Sequence, residues 1–196
     1  MNEKEKPGAP DEALIRAALG GEEEAFRELM ERYKNRAYHV ALGITGDPDN
    51  ALDVVQEAFV KAYYNLKEFR FGANFYTWFY RLLVNQAIDR WRKSSRSRTV
   101  PLDEKWLSEE VSPPESVMYP RTPEDLAQNR QLSDALTRAI ADLPEYHRAV
   151  ILLREVDGMA YEEIAEVLHC SVGTVMSRLH YARAKLKEAL KEFREG

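Results

Sequence analysis

The sequence predicts an all-α protein made of two small helical domains that are joined by a flexible acidic linker. Three observations support this fold class. Apolar residues recur at spacings of three and four, which is the period of an amphipathic helix. The sequence lacks the alternation of apolar and polar residues that marks a half-buried strand. The 9 glycines and 9 prolines gather at a few places, and they divide the chain into helical segments.

The N-terminal domain is predicted to span residues 1–98 and to hold three amphipathic helices. The first covers about residues 22–42 and is ended by TGDPDN, and the second covers about residues 49–66. The FRFGANF segment is a loop signal, and a third helix follows over about residues 75–93. Residues expected to be buried in the second helix, themselves or through their neighbours, are Leu52, Val55, Phe59 and Tyr63.

Residues 99–121 are predicted to form the flexible linker. They contain four of the nine prolines, and most of their other side chains are acidic or small. The second domain, residues 122–196, begins with RTPED, in which Thr122 is the expected N-cap and Pro123 the first helical residue. This helix is expected to end at Pro144. Its expected buried residues are Leu132, Leu136, Ala139 and Leu143.

EYHRAVILLREV is the next predicted helix and DGMA a turn. The segment YEEIAEVLHCSVGTVMSRLHYARAKL, residues 161–186, then predicts two short helices folded back on each other. Ser171 is placed to cap the second of them by accepting from the backbone N–H of Gly173 or Thr174. A glycine in the first helical turn costs about 1 kcal/mol, which suits a close approach to another surface. The inward stripe of that helix is Val172, Val175, Leu179, Ala182 and Leu186.

Charge is strongly segregated along the chain. The protein has 33 acidic and 28 basic side chains, a formal net charge of −5. Residues 70–98 contain seven bases and one acid, residues 99–125 seven acids and two bases, and residues 171–187 four bases and no acid. Two basic segments around an acidic one indicate two contacts with a polyanion. Solvated basic helix faces are the alternative.

A small polar helix tip followed by bases is typical of a helix-turn-helix that enters the major groove and holds phosphates. The helix N-terminus also carries a partial positive charge that suits a phosphate. The alternative is a helical hairpin in some other helical protein. Nothing in the segment alone decides between them.

Several other classes of function are not expected. No apolar run approaches the roughly 20 residues that span a bilayer, and the polar N-terminus lacks the core of a signal peptide, so a cytoplasmic protein is predicted. The single cysteine, Cys170, follows His169, but adjacent residues rarely chelate one metal, so a small buried turn residue is the favoured interpretation. CxxC and HExxH motifs are absent, as is any constellation of a nucleophile, a metal site or a phosphate loop. Neither an enzyme nor a cofactor is expected.

Residues 161–186 resemble the promoter-reading C-terminal domain of the extracytoplasmic-function sigma factors, which are bacterial transcription initiation factors. DNALDVVQEAFVKAYYNLKEFR resembles the core-polymerase-binding helix of that family, and FYTWFYRLLVNQAIDRWRK resembles its helix for the −10 promoter element. The resemblance covers nearly the whole chain. It implies binding to core RNA polymerase, reading of the −10 and −35 elements, help with strand opening, a stress-response role and an anti-sigma partner.

The resemblance also accounts for the acidic average. A sigma factor binds promoter DNA as part of the RNA polymerase holoenzyme rather than alone. It is associated with the nucleoid in that form. Non-specific DNA binding is mostly phosphate attraction, which a net negative charge weakens.

The resemblance implies three sets of site residues. For polymerase binding they are Asp53, Gln56 and Glu57, which share one helix face at i, i+3 and i+4. For the −10 element they are Arg70, Phe71, Asn74, Phe75, Tyr76, Arg81, Asn85, Arg92 and Arg96. For the −35 element they are Ser171, Gly173, Thr174, Met176, Ser177, Arg178, His180, Tyr181 and Arg183.

Chemistry supports the −10 set. The amide of Asn85 both donates and accepts, so it can read a base edge. Aromatic side chains and an amide in the loop over residues 70–76 can stack an unstacked base and bond its edge, as the family's loop does. Trp78 and Phe79 are expected in the core instead.

The chain departs from common members of the family at three positions. Met176 stands where Lys or Arg is frequent, and Tyr181 where Arg is frequent. Met176 can contact a thymine methyl instead of a phosphate. Ala160 occupies the expected N-cap of the first helix of the motif, where Ser is usual, and the loss of its hydroxyl should cost roughly 1 kcal/mol.

Two alternatives remain open from the residues alone. One is a two-domain regulator that binds an operator without polymerase. The other is a helical adaptor that binds only protein.

Overall fold

The computed structural model describes residues 9–97 and 123–194. The described residues form α-helices and two short 3-10 segments, Leu66–Glu68 and Lys191–Arg194, without a strand among them, which confirms the all-α prediction. The helices are α1 (Asp11–Leu19), α2 (Glu23–Thr45), α3 (Pro48–Tyr64), α4 (Phe75–Ser97), α5 (Pro123–Ala141), α6 (Glu145–Glu155), α7 (Tyr161–Val167) and α8 (Val172–Ala189).

The N-terminal half is a bundle in which α2, α3 and α4 pack against one another and α1 lies on α2. Its centre contains Leu29, Val54 and Leu83, each with no exposed surface. The rings of Phe59 and Phe79 stack there with centroids 4.4 Å apart. The third predicted helix begins at Phe75 as expected, but it continues past Lys93 to Ser97 because the sequence holds no glycine or proline to stop it.

The predicted buried face of α3 is confirmed, at two positions by the named residues and at the other two through their neighbours. Leu52 is 49% exposed and Tyr63 is 46% exposed, whereas Val55 and Phe59 are buried as expected. Alanines share the inward stripe, since Ala51, Ala58 and Ala62 have no exposed surface. Small side chains let α2 and α4 approach α3 closely. Leu52 and Tyr63 lie on the other side of the helix because of their positions in its period.

The C-terminal half is built around α8, which packs on α5, α6 and α7. Leu153, Val175 and Leu179 form its centre with almost no exposed surface, and they include part of the inward stripe predicted for the last helix. Residue Ser171 caps α8 as predicted, since its Oγ accepts from the N–H of Thr174 at 3.1 Å.

The expected burial along α5 was wrong at two positions. Leu132 is 39% exposed and Leu136 is 37% exposed. Among the α5 side chains from residue 131 onward, which the structure describes, those at the C-terminal end reach the core; Ile140 packs there, and Leu143 is buried just beyond the last helical residue. Ala139 is half-buried.

The predicted linker and the predicted cap Thr122 lie outside the described residues. The domain boundaries at residues 98, 99, 121 and 122 therefore stay predictions. Within residues 9–97 and 123–194, no helix has the length and apolar character needed to cross a membrane.

The two halves touch along three helix pairs, α2 with α5, α2 with α6 and α4 with α7. At Gly43 on α2 the halves approach closely, since an added Cβ would lie 2.7 Å from the Cδ atoms of Leu152 on α6. A larger residue at position 43 would therefore require the Leu152 side chain to shift. The buried guanidinium of Arg148, on α6, donates to the carbonyl of Ile44 on α2 at 2.8 Å.

Candidate polymerase and nucleic-acid interfaces

The predicted polymerase-binding residues lie side by side on the outer face of α3. Asp53, Gln56 and Glu57 are all exposed. Arg90 of α4 reaches this face and pairs with Asp53 at 3.1 Å and with Glu57 at 2.7 Å. Gln86 also donates to Glu57 at 3.2 Å. The face therefore combines carboxylates with one bridging base, which the sequence analysis did not assign to it.

Apolar side chains border these carboxylates. Val60 is 54% exposed and Tyr64 is 76% exposed, in addition to the outward Leu52 and Tyr63. Exposed apolar residues rimmed by charged ones are typical of a protein-binding surface. These exposed apolar side chains of α3 therefore extend the predicted polymerase-binding face.

The predicted −10 residues on α4 differ in their exposure to solvent and in their bonds within the protein. Asn85 is exposed, and Arg81 is half-buried. Arg92 donates to Glu145 at 2.9 Å, and this bond lowers the pKa of the Glu145 carboxyl. Arg96 is in the last turn of α4, and its predicted DNA contact falls outside the side chains that the structure describes.

The loop before α4 and the start of that helix include three exposed residues of the predicted −10 set and one buried residue. Arg70, Phe71 and Asn74 are exposed, and the guanidinium of Arg16 lies 4.1 Å from the centre of the Phe71 ring. Phe75 is only 2% exposed, so its ring is not accessible to a base in this structure, and its contact with a base stays a prediction.

The Phe75 ring is buried because it packs within an aromatic cluster. Its neighbours are Phe69 at 5.9 Å, Trp78 at 5.7 Å and Phe79 at 6.2 Å, measured between ring centroids. Phe79 is fully buried and Trp78 packs on the core, as expected. Tyr76 is half-buried with its ring 4.3 Å from that of Tyr80.

Asn74 has two partners in this structure. Its Oδ1 accepts from the N–H of Tyr76 at 3.0 Å, so the residue acts as an N-cap of α4. Its Nδ2 donates to Oε1 of Glu163, on α7, at 3.3 Å. An asparagine side chain can cap a helix or bond a base edge. In this structure the side chain of Asn74 caps α4.

A cleft of about 530 Å³ opens beside this loop. Trp78 contributes an aromatic surface to its wall, and the polar side chains from the N-terminal half are those of Glu68, Arg70, Asn74, Thr77 and Arg81. Glu166 of α7 lines the same cleft. Bases, an amide and an aromatic ring around one cleft are the groups that hold an unstacked nucleotide.

The outer face of α8 is open. Gly173, Met176, Ser177, His180 and Tyr181 are all exposed. Each belongs to the predicted −35 set. The helix tip is therefore accessible to a DNA groove.

Other predicted −35 side chains are engaged within the protein. Thr174 shares a 2.9 Å hydrogen bond with Ser171, and Arg183 bonds Glu155 at 2.6 Å. The hydroxyl of Ser177 donates to the backbone carbonyl of Thr174 at 3.0 Å.

Arg178 of the predicted −35 set contacts the protein itself in this structure. Its side chain is half-buried, with the guanidinium 4.8 Å from the centre of the Tyr146 ring and Nη1 3.8 Å from Sγ of Cys170. It thus lies against α6 rather than on the exposed face of α8. Cys170 is partly buried in the turn before α8 and packs against the core.

The first helix of the motif begins without a side-chain cap at Ala160, as predicted. The backbone N–H of Ala160 instead donates to Oε2 of Glu163 at 2.8 Å. Because alanine has no side-chain oxygen, this is one half of a capping box. Glu163 thus bonds both the start of α7 and Asn74 of the N-terminal half.

Two family models match the chain, Sigma-70 region 2 over residues 29–97 and Sigma-70 region 4 over residues 133–186. The ECF RNA polymerase sigma factor SigW of Bacillus subtilis is 33% identical over 185 residues, which are 91% of this chain and 95% of that protein. This chain is an ECF sigma factor. The ECF RNA polymerase sigma-E factor of Escherichia coli is 36% identical over 177 residues, 88% of this chain and 90% of that protein.

Solved structures agree with this family. The structure of CnrH in complex with the cytosolic domain of CnrY has a TM-score of 0.68 and 26% identity, and it covers 93% of this sigma factor and 97% of that chain. The complex of the sigma factor RpoE with the anti-sigma factor NepR from Bartonella quintana has a TM-score of 0.63 and 25% identity, covering 85% and 96%. The resemblance found in the sequence is confirmed.

Two residues that join the halves of this sigma factor, Arg148 and Asp157, were not predicted from the sequence. Arg148 precedes the apolar run AVILL, and a lone base in such a helix was the available signal. Asp157 was treated only as part of a turn, yet its side chain is 1% exposed. Its Oδ1 accepts from the hydroxyl of Tyr80 at 3.0 Å and lies 3.3 Å from Nε of Arg36.

Among the residues that the structure describes, no group of three or more His, Cys, Asp or Glu is placed to hold a metal ion.

Proposed function

We propose that this ECF sigma factor binds core RNA polymerase and directs it to promoters by reading the −10 and −35 elements. The observation that carries the proposal is the presence, on one chain, of both sigma-70 regions, each folded and each with an accessible face. In this role the chain is a binding protein, and the polymerase carries out the catalysis.

The polymerase contact is proposed for the outer face of α3. Asp53, Gln56 and Glu57 provide polar groups, and the exposed side chains of Val60 and Tyr64 provide apolar area beside them. Apolar area supplies affinity and the charged groups supply orientation and specificity. Arg90 would have to share or release its carboxylate partners when the polymerase docks.

The −10 contact is proposed for the exposed end of α4 and the loop before it. Asn85 and Asn74 are the proposed base readers, and Arg70, Arg81 and Arg92 the proposed phosphate partners. Phe71 is the exposed aromatic ring of the loop, and it can stack on an unstacked base. Capture of such a base would favour the opened strands, which is how the chain would help strand opening.

The −35 contact is proposed for the outer face of α8. The capped N-terminus of the helix presents backbone N–H groups and a partial positive charge toward a phosphate. Ser177 and His180 lie farther along the exposed face, where they can reach base edges, and Met176 can contact a thymine methyl.

An anti-sigma factor is a further proposed partner. RpoE from Bartonella quintana is held in its solved structure by the anti-sigma factor NepR. A stress-responsive regulator of this kind acts in the cytoplasm, on the nucleoid when it is part of the holoenzyme.

The test is reconstitution. The purified chain is added to core polymerase free of other sigma factors, and run-off transcripts are mapped across the host genome. Initiation at a defined set of start sites, absent with core polymerase alone, is the expected result. Specific, tight binding of the free chain to an operator at physiological salt, without polymerase-dependent initiation, would instead establish the independent regulator.

A further inference from the structure

The first helix of the chain touches the loop that precedes α4. The guanidinium carbon of Arg16, on α1, lies over the Phe71 ring at 4.1 Å from its centre. Phe71 is 42% exposed and belongs to the predicted −10 set, whereas the sequence analysis assigned Arg16 to no site. This contact links α1 to the surface proposed for the −10 element.

Burial and directed bonds hold α1 on α2. Ile15, the residue before Arg16, has no exposed surface. At the start of α1, the carboxylate of Asp11 accepts from the guanidinium of Arg32 and from the hydroxyl of Tyr33, both on α2. A helix that is locked in this way presents its outer side chains at fixed places.

The attachment continues into the aromatic cluster beside the loop. The Tyr33 ring lies 5.9 Å from the Phe75 ring and 5.5 Å from the Tyr76 ring, measured between centroids. The α1 helix also contacts the 3-10 segment Leu66–Glu68, from which the chain continues into the loop. The loop region is therefore supported by α1 through Tyr33, through this segment and through Arg16.

Glu12 orients the Arg16 side chain. Its Oε1 accepts from Nη2 of Arg16 at 2.6 Å, and the two residues are four positions apart on α1. A planar guanidinium can bond a carboxylate along one edge while its flat face lies against an aromatic ring. The pair thus leaves the flat face of Arg16 for Phe71.

The Phe71 ring has few other contacts to fix it. Among the described residues its one other ring contact is with Phe69, at 5.9 Å between centroids and an angle of 80°, which is an edge contact. The next residue is Gly72, whose residue type has the least restricted backbone. A ring that is already held in its binding orientation loses less freedom when a ligand arrives.

Resting on the function proposed above, we propose that Arg16 is a positioning residue of the −10 site, because its guanidinium holds the Phe71 ring in the orientation that stacks on an unstacked base. One face of the ring lies against Arg16, and the opposite face receives the base. The −10 site therefore includes α1, in addition to the loop and α4.

The first test measures the hold on Phe71 in the free, full-length chain. Chymotrypsin cleaves after phenylalanine, and the rate of cleavage after Phe71 is followed by mass spectrometry under conditions in which it reports how often the loop opens. Arg16→Ala should raise this rate by about two- to fivefold, because it removes one exposed cation–π contact. Equal rates in this variant and the wild-type chain would overturn the proposal.

The matched control is Arg27→Ala. Arg27 is similarly exposed and pairs with Glu24 on α2 as Arg16 pairs with Glu12 on α1. It should leave the rate of cleavage after Phe71 unchanged. A rise of the same size in the control would assign the effect to the loss of any surface ion pair, and it would overturn the proposal.

The second test asks whether a base depends on the position of the ring. Holoenzyme reconstituted from the chain and core polymerase binds fluorescein-labelled single strands of a −10 element that run-off transcription has mapped, and single abasic sites are introduced along each strand. The base that stacks on Phe71 is identified by two results. Its removal should cost affinity by about 5- to 150-fold with the wild-type chain and by less than about twofold with Phe71→Leu.

At that base, Arg16→Ala should reduce the cost of removal by about two- to fivefold, and it should have no further effect in the Phe71→Leu background. The cost at the other bases should stay the same. Arg16→Lys keeps the charge without the flat face, so it should restore only part of the cost. Equal loss of affinity for intact and abasic strands, fully restored by Arg16→Lys, would instead show a charge that meets DNA directly, and it would overturn the positioning role.

The two proposals fail separately. Absence of polymerase-dependent initiation overturns the sigma-factor function, and the −10 role of Arg16 falls with it, even when Arg16→Ala raises the rate of cleavage after Phe71. A chain that initiates normally, but whose cleavage rate and abasic profile are the same in Arg16→Ala as in the wild type, has the function without this role for Arg16.

Discussion

The guanidinium of Arg148 donates to the backbone carbonyl of Ile44, with 2.8 Å between nitrogen and oxygen. Arg148 also donates to the carbonyls of Ile140, Ala141 and Leu143, and its side chain is only 2% exposed. Burial lowers the pKa of the guanidinium to about 10, so the group stays charged at neutral pH. One buried cation thus satisfies carbonyls at the ends of α2 and α5 together.

Replacing Arg148 should destabilise the protein strongly. Arg148→Ala should lower the free energy of unfolding by about 3 kcal/mol, because it leaves buried carbonyls without donors and opens a cavity. Arg148→Lys should lose less, since an ammonium can still serve some of the carbonyls. Urea unfolding followed by circular dichroism measures both. Arg138→Ala, an exposed position on α5, is the control, and equal losses at 138 and 148 would contradict this reasoning.

The packing of the two halves should depend on pH through Asp157. Burial raises the pKa of its carboxyl from 3.8 to about 6, opposed by Arg36 and reinforced by Glu163, while Tyr80 donates to it. When the halves separate, the carboxyl returns to water and to its ordinary pKa. The packed form therefore binds the proton more tightly.

Protonated Asp157 thus favours the packed form, and its full contribution is present below about pH 4. As the pH rises through about 6 this contribution is lost, and the free energy of packing falls by up to roughly 3 kcal/mol. Small-angle X-ray scattering between about pH 5 and pH 7.5 should show more separated chains at the higher pH. Asp157→Asn should remove most of this dependence. The pKa of His147 is lowered by burial, and its effect has the opposite sign. An unchanged pH profile in Asp157→Asn would assign the dependence to another group.

The double variant Asp53→Ala/Gln56→Ala should weaken competition for core polymerase by about tenfold, because it removes two neighbouring polar contacts from one face of α3. Helical content should stay the same, since both side chains are exposed. Competition against a labelled sigma factor measures the affinity. Glu24→Ala on α2 is the control, and normal competition by the double variant would place the polymerase contact elsewhere.

Base reading and helix capping by Asn74 can be separated. Asn74→Asp keeps an acceptor for the N–H of Tyr76 but loses the amide donor, whereas Asn74→Ala loses both and about 1 kcal/mol of stability. Asn74→Asp and Asn85→Ala should each relax base preference in the −10 element by about 1–3 kcal/mol. Strand opening, followed by permanganate reactivity of the −10 thymines, should slow more than initial promoter binding. Unchanged base preference in both variants would remove the two amides from the −10 site.

Arg183 and Ser177 should differ in what they contribute at the −35 element. Arg183→Ala should weaken holoenzyme binding to many sequences alike and reduce the salt slope by about 0.9, as one lost phosphate contact does. Part of its effect is offset because Glu155 already pairs with it. Ser177→Ala should change which bases are tolerated while leaving the salt slope as it is. Filter binding over a range of salt tests both, and a changed slope in the serine variant would reverse the roles.

Local features of the fold followed from the sequence. The cap at Ser171 and the inward stripe of α8 depend on residues within a few positions of each other, so spacing alone predicts them. Leu132 and Leu136 were assigned to the core because their period is helical, but a period does not tell which end of a helix meets its neighbours. Phe75 shows the same limit, since an aromatic residue at the edge of a loop suits both a base and a core.

Long-range contacts were beyond the sequence. Asp157 meets Tyr80, which lies 77 positions earlier, and Arg148 meets Ile44, which lies 104 positions earlier. These contacts form only when the halves pack. Their partners are backbone carbonyls and a tyrosine hydroxyl, which leave no motif in the sequence that would predict the contact. The family resemblance predicted which faces bind DNA and polymerase, but it did not predict that this chain's own carboxylates would occupy one of them.

The outer face of α8 is formed by side chains that leave the helix away from its buried stripe, among them Met176, Ser177 and His180. Substitutions there alter neither the interior of the C-terminal half nor the glutamates of α6 and α7. With the proposed −35 contact on this face, a lineage or an engineer could exchange the operon set that this factor switches on by editing one helix surface. The buried interior that folds the C-terminal half would be inherited unchanged, as a module separate from its address.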